Sequence, residues 1–222
     1  MIKYDDNAVV LKHEAGTRLF HWGLILGFLP TAFTGIAVWL KPFSGDTMNV
    51  LMLVHIAGAW ILSLACVLFF IFRHKRVVAF GREIFNWTKD DFEWMKVSGG
   101  YPQKMFFGKI VPVPAMRKMN SGQKMMGIIV LIGTILVVVT GWILYVALPM
   151  VPKDIAFYAD LIHLIIGLGL TVCVVCGHIV LSIYNWKECI CMFGDGTMRV
   201  NDAKHHNELW VNEDIEPVET TN

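Results

Sequence analysis

Four stretches of this chain, each longer than 20 residues and mostly apolar, determine what it can fold into. They lie at about residues 20–40, 51–72, 125–148 and 160–184. A helix that crosses a membrane needs about 20 mostly apolar residues. Backbone polar groups in lipid must be satisfied within the segment, so each stretch is predicted to be helical. The sequence therefore predicts an all-α membrane protein built as a four-transmembrane-helix bundle.

The composition agrees with a membrane protein. Hydrophobic residues make up 55% of the chain and charged residues only 17%, whereas soluble domains carry about 25% charged residues. The loop at 73–124 and the tail at 185–222 are too short for a second large domain, so residues 1–222 are expected to form a single integral membrane domain. The first span is too long for a signal-peptide core and is followed by no small-residue cleavage site, so we expect it to be retained.

The positive charges predict how the chain is oriented. Of its 19 Lys and Arg residues, 17 lie in the two tails and the loop at 73–124, and the other two are Lys41 and Lys153 in short loops. Cytoplasmic segments are enriched in these residues. Both termini are therefore expected to be cytoplasmic. The net charge of +1 gives no reason to expect a nucleic-acid partner.

Four histidines lie inside the predicted spans, where an ionisable side chain is costly and by default indicates function. His21 lies near the cytoplasmic start of the first span, and His55 and His163 lie near the outer starts of the second and fourth. His178 follows His163 by 15 residues, which is about 22 Å toward the cytoplasm along a helix. The depths therefore pair His55 with His163 near the outer face and His21 with His178 near the inner face.

Two imidazoles at one depth are suited to the two axial positions of a haem iron. The sequence thus predicts two haems, an outer one ligated by His55 and His163 and an inner one ligated by His21 and His178. With both axial positions filled, no position is open for a substrate, which favours electron transfer. The chain has no Cys-x-x-Cys-His motif, so the haems are expected to be b-type. The alternative for each histidine alone is a hydrogen-bonded interior residue.

A polar motif precedes the third span on the cytoplasmic side. Asn120 and Gln123 carry uncharged amides that can bond a quinone carbonyl, and Gly122 lets a ligand approach the backbone. The alternative is an ordinary helix start, with Asn120 or Ser121 as the N-cap and Gln123 in the first turn. Lys124 has two interpretations as well: neutralising a haem propionate or reduced quinone, together with Arg18, or anchoring at the membrane edge.

A larger set of residues, from about Gly16 to Trp210, forms a recognisable pattern. Its members are Thr17-Arg18, His21-Trp22, His55, Asn120-Ser121-Gly122-Gln123-Lys124-Met125-Met126, Leu161-Ile162-His163, His178, Lys204-His205-His206 and Trp210. With these residues the chain resembles the cytochrome b (gamma) subunit of membrane-bound formate dehydrogenases. The resemblance implies a four-helix bundle that holds two haems b with the pairing given above. It also implies a menaquinone site beside the inner haem, lined by Asn120, Gly122 and Gln123.

The resemblance further implies a role and partners. Formate would be oxidised in a separate molybdenum- or tungsten-containing catalytic subunit. Electrons would pass through an iron–sulfur subunit to the outer haem, the inner haem and then menaquinone near the cytoplasmic face. The location would be the cytoplasmic (inner) membrane of a prokaryote.

One interval departs from the family pattern, and several functions stay open. His163 and His178 are one residue further apart than expected, and a π-bulge in the fourth helix would absorb the extra residue. The nearest alternative function is the cytochrome b of a nickel–iron hydrogenase or a thiosulfate reductase. Others are a stand-alone di-haem cytochrome of the b561 type and a haem-free anchor or transporter.

Overall fold

The computed structural model describes residues 8–215. The ends of the two predicted tails, residues 1–7 and 216–222, lie outside the described residues. Within the described range, four helices are long and apolar enough to cross a membrane: Ala15–Leu40, Asp46–Phe85, Ser121–Met150 and Lys153–Tyr184. The predicted four-transmembrane, all-α class is therefore confirmed. Each helix begins before its predicted span, because the apolar criterion detects the part of a helix that lies in lipid rather than its whole length.

The elements follow one another along the chain in a simple order. They are β1 (Val9–Leu11), α1 (Ala15–Leu40), α2 (Asp46–Phe85), α3 (Lys89–Lys96), α4 (Tyr101–Phe107), α5 (Ser121–Trp142), α6 (Lys153–Val172), α7 (Val180–Tyr184), α8 (Trp186–Phe193), β2 (Thr197–Arg199) and α9 (Val200–His206). Short π-helical or 3-10 segments extend or join some of them, at Ser98–Gly100, Ile143–Ala147, Leu148–Met150, Cys173–Ile179 and Trp210–Asp214.

Local sequence explains where several helices begin and change direction. Gly45 has a positive φ of 59° directly before α2, a conformation that glycine adopts without strain. Asp46 in the first turn of α2 places a negative charge at the positive end of the helix dipole. Within α2 the backbone leaves helical geometry at Arg73. That residue directly follows the predicted apolar span, which ended at residue 72.

The fourth transmembrane helix contains the irregularity that its sequence predicts. Between α6 and α7, residues Cys173–Ile179 form a π-helical segment that contains His178. A π-segment closes its hydrogen bonds one residue later than an α-helix, so it accommodates an additional residue. The π-bulge expected from the long interval between His163 and His178 is therefore present.

The described residues form two compact units. One, which we call the membrane unit, comprises Ala15–Val77 and Ile129–Tyr184; the other, the loop-and-tail unit, comprises Val78–Ile128 and the described parts of the two tails. Close helix contacts stabilise the membrane unit. A Cβ atom added to Gly27 of α1 would lie 2.6 Å from the backbone nitrogen of Leu62 in α2.

The loop-and-tail unit has its own small core. Strands β1 and β2 pair in antiparallel fashion, with Val9 opposite Arg199 and Leu11 opposite Thr197. Beside them lies a cluster of buried side chains: Val10, Cys191, Met198, Val200, Ala203, Trp210 and Val211. The segment before the first transmembrane helix is thereby joined to the segment after the last one.

A buried charge reinforces that junction. The ammonium of Lys12 lies 2.5 Å from Oε1 of Glu188 in α8 and 2.6 Å from Oδ1 of Asn207. The Nδ2 group of Asn207 donates to the carbonyl oxygens of Arg117 and Lys118. Buried polar groups are costly unless they are hydrogen-bonded. An arrangement of the two tails and the long loop that broke this network would leave such groups unpaired, so the network favours the observed arrangement.

Candidate functional site

The structure brings the two predicted outer histidines together. His55 lies in α2 and His163 lies in α6, and the centroids of their imidazole rings are 6.1 Å apart, with an angle of 73° between the ring planes. Both rings are partly buried in the membrane unit. This is the pairing expected from their depths in the second and fourth spans.

The two predicted inner histidines also lie together. His21 of α1 and His178 of the π-helical segment have ring centroids 6.1 Å apart and ring planes at 65°. The distance between the rings is therefore the same at both pairs. All four histidines in the spans are accounted for by two pairs, each of which joins two different transmembrane helices.

The hydrogen bonds of His55 define which of its nitrogens carries the proton. Its Nδ1 lies 3.0 Å from the carbonyl oxygen of Thr31 and 3.2 Å from Oγ1 of Thr34. A carbonyl oxygen can only accept a hydrogen bond, so Nδ1 carries the proton and donates it to α1. In the neutral ring the lone pair is then on Nε2, a nitrogen that can bind a metal.

His163 is held in the same way by a different helix. Its Nδ1 lies 3.0 Å from the carbonyl oxygen of Val137 and 3.2 Å from Oγ1 of Thr140, both on α5. The same reasoning places the proton on Nδ1 and the lone pair on Nε2. Metal-binding histidines usually donate their second ring nitrogen to a carbonyl or carboxylate in this manner.

The outer pair fits the requirements of a bis-histidine haem. An imidazole nitrogen binds a metal at about 2 Å and lies about 1 Å from its ring centre, so two imidazoles on one metal have centres about 6 Å apart. The observed 6.1 Å agrees with this distance, and both rings carry their lone pair on Nε2. The donor set, two neutral imidazoles, is the one found in haem proteins that transfer electrons.

The polar motif before α5 forms a helix cap. The backbone nitrogen of Gln123 donates to Oδ1 of Asn120, and the backbone nitrogen of Asn120 donates to Oε1 of Gln123, at 2.9 and 3.0 Å. These reciprocal bonds make a capping box, so the helix-start interpretation is confirmed. A Cβ atom on Gly122 would lie 2.9 Å from the ring of Trp94, so this glycine lets the indole pack at the helix start.

Lys124 is bound within the protein. Its ammonium donates to Oδ2 of Asp91 and to the carbonyl oxygen of Asn86, both at 2.9 Å. Ser121 donates to Oδ1 of the same carboxylate at 2.9 Å. The positive charge proposed for a propionate or quinone is thus balanced by Asp91. Arg18, the other basic candidate, is half-buried on α1, and its role stays a prediction.

Sequence reasoning missed the two threonines that contact the outer histidines. Thr34 and Thr140 are each followed by glycine, and the two Thr-Gly dipeptides lie in the first and third spans. Each span precedes one that carries an outer histidine. This repetition was visible in the sequence, and it is the signal that could have identified both threonines.

Comparison with known proteins agrees with this geometry. The model of the prokaryotic cytochrome b561 family matches residues 12–188, which is most of the chain and includes all four paired histidines. The chain is also similar to the cytochrome b556 subunit of formate dehydrogenase from Haemophilus influenzae, with 25% identity over 221 residues that cover 96% of this chain and 87% of the relative. Membership of a cytochrome b family implies haem b as the prosthetic group. The chain therefore belongs to the prokaryotic cytochrome b561 family and is a multi-pass membrane cytochrome.

Proposed function

We propose that this cytochrome is the di-haem subunit of a respiratory formate dehydrogenase and carries electrons across the membrane to menaquinone. The observation that supports the proposal is that the four histidines form two pairs with the same distance between ring centroids. Two pairs of rings, at different depths of the same bundle, each have centroids 6.1 Å apart. One such pair could be an ordinary ring contact, whereas two pairs of equal separation in one helix bundle are typical of two similar sites.

The ligands follow from that pairing. His55 and His163 would bind the iron of the outer haem, and His21 and His178 that of the inner haem. When bound, haem b supplies reversible one-electron transfer. The chain itself orients the outer imidazoles, with Nδ1 donating to the carbonyl oxygens of Thr31 and Val137. An iron held by two of these imidazoles would have no position left open for a substrate.

The spacing along the fourth helix supports a relay. His163 and His178 are separated by 15 residues, which corresponds to about 22 Å of helix axis. If a haem were held at each histidine pair, the gap that an electron has to cross would be shorter than this length, because a haem extends beyond its iron. Two haems so arranged would carry electrons most of the way through a hydrocarbon core about 30 Å thick.

Menaquinone would be reduced near the cytoplasmic face, at Asn120, Gly122 and Gln123. Support for this site is chemical. The capping box uses the side-chain oxygens of Asn120 and Gln123, while each amide also carries an NH₂ group with two donors. Donors of this kind suit a quinone carbonyl. The excess of basic residues in the loop and tails supports placing this end of the bundle in the cytoplasm.

An iron–sulfur subunit and a molybdenum- or tungsten-containing catalytic subunit would supply the electrons. The similarity to a formate dehydrogenase subunit over 96% of the chain supports this partnership. A cytochrome b that serves a hydrogenase or thiosulfate reductase would share the haems and quinone. The family match also makes a stand-alone b561-type cytochrome a second candidate.

Haem content of the detergent-purified chain tests the central proposal. The pyridine haemochrome and the dithionite-reduced minus oxidised spectrum should show two haems b per polypeptide. A chain that folds with one haem or none contradicts it. In membranes of the native host, formate should reduce these haems and hydrogen should not, and thiosulfate should not reoxidise the reduced haems. Reduction of the isolated chain by a soluble donor, with no response to formate in membranes, would favour the stand-alone cytochrome.

A further inference from the structure

The two outer histidines are supported by matching dipeptides on different helices. Thr34 of α1 donates its hydroxyl proton to the carbonyl oxygen of Pro30 at 2.6 Å, and its Oγ1 lies 3.2 Å from Nδ1 of His55. Thr140 of α5 donates to the carbonyl oxygen of Leu136, also at 2.6 Å, and its Oγ1 lies 3.2 Å from Nδ1 of His163. The two arrangements agree in both distances.

Each threonine donates its hydroxyl proton to the helix backbone, and this determines how its oxygen interacts with the histidine. Because that proton is donated to the carbonyl four residues earlier, the oxygen presents a lone pair to Nδ1. The Nδ1–H group therefore faces two acceptors on one helix, a hydroxyl oxygen and the carbonyl oxygen of the residue three positions before the threonine. Because its Nδ1–H group faces two acceptors, the imidazole ring is held in one orientation, with the proton on Nδ1.

The glycine after each threonine allows the ring to approach the helix backbone. A Cβ atom on Gly35 would lie 3.2 Å from Cε1 of His55, and one on Gly141 would lie 3.0 Å from Cε1 of His163. Both distances are shorter than ordinary van der Waals contact. A methyl group at either position would require the imidazole ring to move by a few tenths of an ångström.

We propose that Thr34–Gly35 and Thr140–Gly141 are a matched pair of positioning elements for the axial ligands of the outer haem. The threonine hydroxyls, together with the backbone carbonyls, fix the direction of the Nδ1–H bond. The glycines let the rings take up the observed angle of 73° between their planes. The inference rests on the proposed function, in which His55 and His163 bind one iron. It assigns a role to four residues that do not themselves contact the metal.

The expected electronic effect follows from the hydrogen bonds. An acceptor at Nδ1–H makes Nε2 a stronger donor to a metal, and a stronger axial donor favours the ferric state. Hydrogen bonding of an axial ligand is one of the ways in which a protein sets a haem potential. Removing either hydroxyl should therefore raise the midpoint potential of the outer haem.

The test uses the full-length, haem-loaded protein with Thr34→Val, Thr140→Val and the double variant. Valine has the shape of threonine without the hydroxyl, so we expect two haems to remain. The outer haem, identified as the component that His163→Ala removes, should show a higher midpoint potential. Its low-spin ferric EPR signal should also shift, because that signal depends on the angle between the axial imidazole planes. The inner haem should keep its midpoint potential and EPR signal. Thr34→Ser and Thr140→Ser retain a hydroxyl, so in these variants the outer haem should have the potential and EPR signal of the unmodified protein.

A matched control comes from the same bundle. Thr171 of α6 is buried, and its hydroxyl donates to the carbonyl oxygen of Gly167 at 2.8 Å, the same bond to the residue four positions earlier. Thr171→Val should leave the outer haem unchanged. Gly35→Ala and Gly141→Ala should alter the EPR signal or remove the outer haem selectively. Selective loss of the outer haem in a folded threonine variant would likewise support positioning.

Two results would overturn the inference. One is an outer haem whose potential and EPR signal are the same in Thr34→Val, Thr140→Val and the unmodified protein. The other is an equal shift in Thr171→Val, which would indicate a general effect of losing a hydroxyl. These outcomes differ from failure of the proposed function, which would appear as fewer than two haems in the unmodified protein.

Discussion

The ammonium of Lys124 lies 2.9 Å from Oδ2 of Asp91, and the exposed fractions of the two side chains are 8% and 1%. Burial alone would raise the pKa of Asp91. The hydrogen bond from Lys124 and those from Thr88 and Ser121 outweigh burial and lower that pKa below its usual value. The carboxylate therefore stays ionised and holds the first turn of α5 against α3.

Asp91→Asn should destabilise the protein strongly, because it leaves the Lys124 ammonium buried without a counter-charge. Breaking one partner of a buried pair costs about 3–5 kcal/mol, which should appear as a lower thermal midpoint in detergent. Glu93→Gln is the matched control, since Glu93 lies in the same helix and pairs with Lys96 at an exposed position. Exposed pairs contribute about 0–1 kcal/mol, so equal effects of the two substitutions would contradict the assignment.

Acid should weaken the same interaction. The pKa of Asp91 is lower in the folded protein than in the unfolded chain, so its contribution to stability is complete above the unfolded pKa of about 4. That contribution should be lost as the pH falls from this value through the folded pKa. Thermal midpoints measured from pH 6 downward should therefore converge for the unmodified protein and Asp91→Asn.

Loss of one axial histidine should remove one haem. In the proposed assignment, His163→Ala takes away a ligand of the outer haem and His178→Ala takes away a ligand of the inner haem, so each should halve the haem b content. His74 is exposed and lies beyond the second apolar span, and His74→Ala should retain two haems. The pyridine haemochrome assay measures the haem b content of all three variants. Full haem content in both His163→Ala and His178→Ala would refute the ligand assignment.

Gly27→Ala should disturb the packing of α1 on α2. The added methyl carbon would lie 2.6 Å from the backbone nitrogen of Leu62, and backbone cannot move aside as a flexible side chain can. Overpacking of this kind costs about 1–3 kcal/mol. Gly81→Ala provides the comparison, since no described atom outside its own stretch of helix lies within 4 Å of its added Cβ and alanine favours helix. Thermal midpoints of the two variants should move in opposite directions.

His206 should make the stability of the loop-and-tail unit sensitive to pH. Burial, assisted by the nearby His205, lowers the pKa of His206 to about 4, whereas the unfolded value is about 6.5. Between these values the unfolded chain binds a proton that the folded protein excludes. Stability is therefore complete above pH 6.5 and declines as the pH falls toward 4.

His206→Gln should abolish that part of the pH dependence, and His205→Gln should largely keep it, because His205 is exposed. Thermal midpoints recorded between pH 7 and pH 4 would measure the difference. Identical slopes for the unmodified protein and His206→Gln would show that another group is responsible.

The spans and the histidine pairs were predictable because two simple quantities determine them. Lipid requires an apolar helix of minimum length, and the helix rise converts a sequence interval into a depth. His55 and His163 could thus be matched without knowing any side-chain contact. The same argument matched His21 with His178, whose ring centroids lie 6.1 Å apart in the structure.

Contacts between distant parts of the chain were not predictable in this way. Lys124 had the features of a membrane-edge anchor. Its ion pair with Asp91 could not be predicted, because Asp91 lies 33 residues earlier in a segment with many charges. Strands β1 and β2 are three residues each, too short for an alternating pattern to be recognised. Thr34 and Thr140 were overlooked because threonine and glycine in a membrane helix usually indicate helix packing.

The π-helical segment around His178 also bears on how relatives of this protein can be recognised. A helix that can take up one residue by widening a turn lets its sequence gain or lose a position without losing a metal ligand. The interval between His163 and His178 is therefore a poor criterion for a search pattern, because a search that demands an interval one residue shorter would reject this chain. A pattern that specifies only which span carries each histidine would tolerate such insertions.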